Sequence, residues 1–182
     1  RGKRLAAVSP TSLGGWLVAA KQLQEWGVGV PAPRDMLFAG THDQVVNAVL
    51  KGQADVGTVR TDTLERMEEE GLLSPGSLRV LFEQSANALA LPFAHSTRLY
   101  PEWPLAKLAH VADQTAEQIT IALLQMPADA PAARAALCAG WTAPLDYEPV
   151  AECLRELRAA PYEEFGYVSL ANAFRSHWHW MT

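Results

Sequence analysis

From Gly40 to Asp62 the chain runs through a polar loop, an amphipathic stretch, a glycine, an apolar run and a polar tip, and that order leaves little choice of fold. Thr41 stands where a side-chain oxygen can cap a helix, and Val45, Val46, Val49 and Leu50 follow it at helical spacing. Gly52 supplies the left-handed residue that ends such a helix, and Ala54 to Val59 then reads as a short strand. A strand reached through a helix pairs parallel to the strand before it, because the crossover carries the chain back to the starting edge. Thr58 and Arg60 at the strand's end, with His42 at the helix start, are thereby placed at the carboxyl edge of an open α/β sheet, where ligands bind.

The same alternation continues on both sides. Arg4 to Val8 is a short apolar run of the kind that fills a buried strand, and Leu13, Trp16, Leu17, Ala20 and Leu23 mark a helix that ends at Trp26-Gly27. Pro31-Ala32-Pro33 breaks the chain before a strand at Met36 to Ala39. A helix from Asp62 to Gly71 and a further strand at Leu78 to Phe82 complete an α/β order with a parallel sheet. Beyond Ser85 the character changes. The apolar stretch Ala88 to Phe93 and a proline- and aromatic-rich loop lead into helices expected at Thr115 to Gln125, Ala130 to Ala139, Tyr147 to Leu157 and Ser169 to Trp180. Two parts are therefore expected: residues 1–85 as an α/β ligand-binding lobe and 86–182 as a helix-rich segment.

Composition removes several classes of function. With 49% hydrophobic and 19% charged residues the 182-residue chain is globular in make-up. Its formal net charge is -5, and beyond Arg1, Lys3 and Arg4 its lysines and arginines are scattered singly, so nucleic acid is not an expected partner. No apolar run reaches the roughly 20 residues a membrane helix needs, and the stretch is expected to be soluble as it stands.

Three groups of residues could carry chemistry. Ser9, Thr11 and Ser12 lie between a strand and a helix opening with Leu13-Gly14-Gly15, where hydroxyls and helix-start N–H groups can seat an anion or simply cap the helix. His42 could donate to an oxyanion, join a metal or hydrogen-bond a neighbouring loop. A metal would need further ligands, and His177-x-His179 is remote in sequence, so neither a metal nor a cofactor is expected. Ser12, His42 and Asp55 can be drawn as a hydrolytic triad, but the Gly-x-Ser-x-Gly elbow is missing, and binding is the stronger reading than catalysis. Arg60 can fork onto a ligand's acid group or pair with Asp62 or Glu65. The acidic run Glu65 to Glu70 reads as the solvated side of a helix whose inner side carries Leu64 and Met67. Cys138 and Cys153 fall on neighbouring helices that a hairpin could bring together as a disulfide; the alternative is two buried thiols.

With these residues in place, the chain resembles the phosphate/phosphonate-type periplasmic binding proteins of the type II, two-lobe class. The stretches that carry the likeness are Gly2 to Ser12, Gly40 to Asp43 and Gly52 to Arg66. The resemblance implies that Ser9, Thr11 and Ser12 hold an anionic head, and that His42 and Asp55 line the same cleft. Ser96 to Pro104 and Ala139 to Tyr147 look more specifically like the extracytoplasmic sensor domain of histidine kinases of the tetrathionate-sensor kind. That resemblance implies a periplasmic location, membrane and kinase portions in the same full-length protein, a small anionic ligand such as a phosphonate, phosphate or polythionate, homodimer formation, and signalling by hinge closure without chemistry in this region. It also implies a further stretch before Arg1 that forms most of one lobe, with residues 86–182 returning to that lobe and residues 1–85 forming the other, nearly complete one. The solute-binding component of a phosphonate/phosphate importer, and a serine hydrolase using Ser12 and His42, stand as alternatives.

Overall fold

The computed structural model describes residues 2–84, 93–101 and 103–166. The chain divides into two compact units, one formed by Arg1–Leu99 with Val150–Thr182 and the other by Tyr100–Pro149. The expected boundary at Ser85 falls outside the described residues, and the stretch from Val150 clusters with the amino-terminal α/β part rather than with the helices before it.

The first unit is built on a three-stranded parallel sheet of order β2-β1-β3, with β1 at Leu5–Ala7, β2 at Leu37–Phe38 and β3 at Val56–Gly57. Ala6 pairs with Leu37 and Gly57, which fixes β1 in the middle. Successive residues of a strand face opposite sides. Ala6 packs with Val45, Ala48 and Ala54 on one side of the sheet, and Ala7 packs with Trp16, Leu17 and Ala20 on the other. Both alanines are wholly buried, so their small side chains let a helix approach the central strand from each side.

After β1 the chain turns at Ser12 into a π-helical turn, Leu13–Leu17, which runs on as the α-helix α1, Val18–Glu25. The wide turn shows in the bond from Leu17 N to Ser12 O at 3.0 Å. Gly15 is required there, because a Cβ would lie 2.6 Å from both Ser12 Oγ and Val8 Cγ2. The helix α2 covers His42–Leu50, opened by Thr41, whose hydroxyl accepts from Gln44 N at 3.2 Å. At its end Gln53 N donates to Ala48 O and Gly52 N to Val49 O, with Gly52 at φ 67°, the bond pattern by which a left-handed residue closes a helix. The helix α3, Thr63–Glu69, places Met67 against Val46 and Leu73, with Leu64 packed alongside. The expected strand at Leu78 to Phe82 does not form: those residues lie in turns and open chain, followed by a single bridge between Gln84 and His95.

The second unit carries α4, Asp113–Leu124, and α5, Pro131–Ala135. No residue of α4 is buried; Ala133 is the buried residue of α5. The last described helix, α6, Glu148–Glu156, begins at the junction and lays Leu154, with Leu157 just after it, against the Trp16–Leu17–Ala20 cluster. The helix expected at Ser169 to Trp180 and the pair His177 and His179 lie outside the described residues. Among the described residues no helix is long and apolar enough to cross a membrane.

Candidate functional site

In a parallel sheet of order 2-1-3, the connections leaving β1 and β3 diverge, and the crevice between those strand ends is where an α/β sheet receives a ligand. Three segments meet at that edge here. The loop after β1 holds Ser9, Thr11 and Ser12; the exit of β3 holds Thr58 and Arg60; the start of α2 holds His42. They are bonded to one another. Thr58 Oγ1 donates to Gly15 O at 2.6 Å, tying the β3 exit to the first turn of the helix after β1. Gly40 N donates to Val8 O at 2.9 Å, tying the loop before α2 to the end of β1. Arg60 N donates to Nδ1 of His42 at 3.1 Å, closing the ring of segments.

Within the β1 loop, Ser9 Oγ and Thr11 Oγ1 are 3.5 Å apart. Ser12 Oγ accepts from Gly15 N at 3.2 Å, so Ser12 caps the helix, and Ser12 N donates to Ser9 O at 3.3 Å. The loop thus presents hydroxyls beside a helix start, an arrangement that attracts negative charge through the helix dipole.

His42 is partly buried. Burial, and next the Arg60 guanidinium, hold its pKa below 6.5, against the opposing pull of Asp62 and Asp43. The bond from Arg60 N makes Nδ1 an acceptor, which leaves the proton of the neutral ring on Nε2. His42 is therefore a neutral donor at neutral pH. Arg60 closes its fork on Asp62, Nε to Oδ1 at 3.1 Å and Nη2 to Oδ2 at 2.9 Å, so the salt-bridge alternative weighed for Arg60 is realised. Asp62 adopts φ 76° at the start of α3, a left-handed conformation that aspartate tolerates better than most residues.

Asp55 does not join this group. It precedes β3, and its backbone N donates to Arg4 O at the start of β1, whereas Thr58 N donates to Ala6 O near that strand's end. Asp55 thus sits at the amino edge of the sheet, where its carboxylate accepts from Arg4 N at 2.8 Å and pairs with Arg4 and, at 4.0 Å, Lys3. The Arg4 backbone N–H chiefly holds its pKa below the usual carboxylate range. Parallel pairing puts the two ends of β3 at opposite edges, so the Ser12–His42–Asp55 triad is not assembled. His42 receives a backbone amide where a triad would place a carboxylate.

Cys138 and Cys153 are free thiols. Cys153 is fully buried, its Sγ donates to Leu17 O at 3.9 Å, and burial raises its pKa. Among the described residues no group of histidine, cysteine, aspartate or glutamate side chains has the arrangement of a metal site.

Three polar groupings were not legible from spacing. Asp43, next to His42, pairs with Arg66 of α3, which also donates to Glu70 Oε2 at 2.8 Å, and both carboxylates hold the guanidinium more firmly protonated. Glu65, read as part of a solvated run, accepts from Ala94 N at 2.9 Å. Lys21, on the apolar side of α1, is buried among Glu25, Glu152 and Glu156. A lysine at a position of core spacing was the signal for this last group.

Residues 1–148 match the sequence profile described as the periplasmic substrate-binding protein of a phosphonate ABC transporter. The chain belongs to this phosphonate-binding family. Two relatives extend the match. The tetrathionate sensor histidine kinase TtrS of Salmonella typhimurium is 29% identical over 163 residues, 89% of this chain and 26% of TtrS. The phosphate-import protein PhnD of Mycolicibacterium smegmatis is 30% identical over 109 residues, 56% of this chain and 34% of PhnD. The chain therefore spans between a quarter and about a third of these relatives' lengths. As expected from the α/β order, a parallel sheet with its polar loops at one edge underlies a periplasmic-binding-protein-like domain.

Proposed function

We propose that this chain is the ligand-binding region of a periplasmic sensor, recognising a small oxyanion at the edge where the β1 loop, the start of α2 and the exit of β3 meet. The observation that carries the reading is that convergence, found in a member of the phosphonate-binding family. Ser9 and Thr11 offer hydroxyls, the helix start offers N–H groups, and His42 offers Nε2–H as a neutral donor. With Arg60 on Asp62 and Arg66 on Asp43 and Glu70, the nearby cations are met by carboxylates. An anion is then held mainly by dipoles and neutral hydrogen bonds rather than by an unopposed charge. In this reading the α/β unit supplies one side of a type II cleft, and an anion bound at its edge stabilises a closed state by its differential affinity. Closure would be passed to membrane and kinase portions of the longer protein, with two copies acting together.

The sensor is favoured over an importer component because the likeness to TtrS extends over 89% of the chain, against 56% for PhnD. A thermal-shift screen against phosphate, methylphosphonate, sulfate and tetrathionate tests the binding claim. A ligand at a hundred times its dissociation constant stabilises by about 2.7 kcal/mol, and one of these anions is expected to do so. Absence of any shift from all four up to millimolar concentration would reject the oxyanion reading.

A further inference from the structure

The chain leaves the first unit at Leu99 and re-enters it at Val150. Arg98 and Glu152, both in that unit, stand beside the exit and the return. Arg98 Nη2 donates to Glu152 Oε2 at 3.0 Å, and the same oxygen lies 3.8 Å from Nζ of Lys21. Lys21 is only 3% exposed on α1. Its Nζ also donates to Glu156 Oε2 at 2.8 Å and lies 3.8 Å from Glu25 Oε1. A buried ammonium is tolerated only where carboxylates compensate it, and two of these three come from α6. Arg98 foremost, then Lys21, keeps the Glu152 carboxyl ionised by holding its pKa below the usual range. Beneath these charges Leu154 and Leu157 pack on the α1 cluster, and the Cys153 thiol bonds to Leu17 O.

We propose that Arg98, Glu152 and Lys21 form a clasp that fastens both crossings of the chain to α1, holding the exit near Arg98 and the return at Glu152 against the α/β unit. An exposed Arg–Glu pair alone contributes little. What gives this one weight is that Glu152 also compensates the buried Lys21, which makes the outer pair and the inner cluster one network. The inference stands apart from the ligand-binding reading and needs no ligand to be tested.

Hydrogen–deuterium exchange on the 182-residue chain decides it. Glu152→Gln removes the shared carboxylate at nearly constant shape, and amides in residues 95–99 and 150–156 are expected to exchange roughly three- to tenfold faster while those of α2 keep their rates. Glu156→Gln removes the nearest partner of Lys21 but leaves the outer pair, so it should speed exchange in 150–156 and leave 95–99 unchanged. Reversing the outer pair, Arg98→Glu with Glu152→Arg, sets a cation beside Lys21 and should fail to restore protection. Should Glu152→Gln not fold, Arg98→Gln at its exposed position serves instead and must speed exchange in 95–99. The clasp is overturned by unchanged exchange in 95–99 in either outer-pair variant, by recovery of protection in the reversed pair, or by Glu156→Gln loosening 95–99 as much as Glu152→Gln does.

Discussion

His42 shows how one side chain can be a positioning group and a donor together. Its Nδ1 takes the Arg60 amide, and burial lowers its pKa, so the native ring binds a proton less readily than the unfolded side chain does. Between the native pKa and about 6.5 the unfolded chain then carries more protons, and stability falls as the pH drops through that window. His42→Gln removes this titration, so urea unfolding from pH 7 to 5 is expected to show a shallower acid-side loss than in the parent; equal slopes would exclude His42 as the source. Gly57 poses a packing question instead. A Cβ there would meet Val45 Cγ1 at 2.7 Å and Val49 Cγ2 at 3.1 Å. Gly57→Ala is expected to cost about 1–3 kcal/mol by overpacking, read from the urea midpoint.

At the scale of elements, α2 was the most legible part of the chain because all its signals are local. Thr41 caps it, the valines face the sheet and α3, and Gly52 closes it. Thr41→Ala should lower stability by about 1 kcal/mol with the fold retained. The helix after β1 distributes its roles differently. Ser12 is committed to Gly15 N as a cap, whereas the hydroxyl of Thr11 has Ser9 for a neighbour. Thr11→Ala is therefore expected to weaken oxyanion binding by about 1.5–3 kcal/mol while leaving the melting temperature nearly unchanged, and Ser12→Ala to lower both. Calorimetry beside thermal melts separates the two, and equal loss of stability in both variants would contradict the division. The strand expected at Leu78 to Phe82 failed for a reason spacing does not show. Apolar residues make a strand only beside a partner; Leu78 instead packs with the Val46–Met67–Leu73 cluster, and Phe82 is turned at φ 53° towards Trp26.

Across the whole molecule, the two cysteines carry a prediction of redox state. Helix spacing suggested that Cys138 and Cys153 could meet, but both thiols are free, and Cys153 is buried against α1 with its thiol on Leu17 O. Alkylation of the native protein followed by mass spectrometry should give one adduct, at the partly exposed Cys138, and two after unfolding. No adduct on the unfolded, unreduced chain would establish a disulfide in place of the free thiols.

The strands, the helix α2 and the hydroxyl-rich loop after β1 follow from short-range rules: apolar runs, caps, a left-handed glycine and alternation of types. These act within a few residues, so the sequence by itself determined a parallel α/β unit and placed Ser9, Thr11, Ser12, His42, Thr58 and Arg60 at one edge. It could not determine that Asp55 leaves that edge, since the two ends of a short strand are told apart only once its parallel register is set. Nor could it pair Lys21 with Glu152 and Glu156, more than a hundred residues on. Such contacts exist only when tertiary packing has closed the chain on itself, and a buried charge takes its partner from whatever that closure brings near.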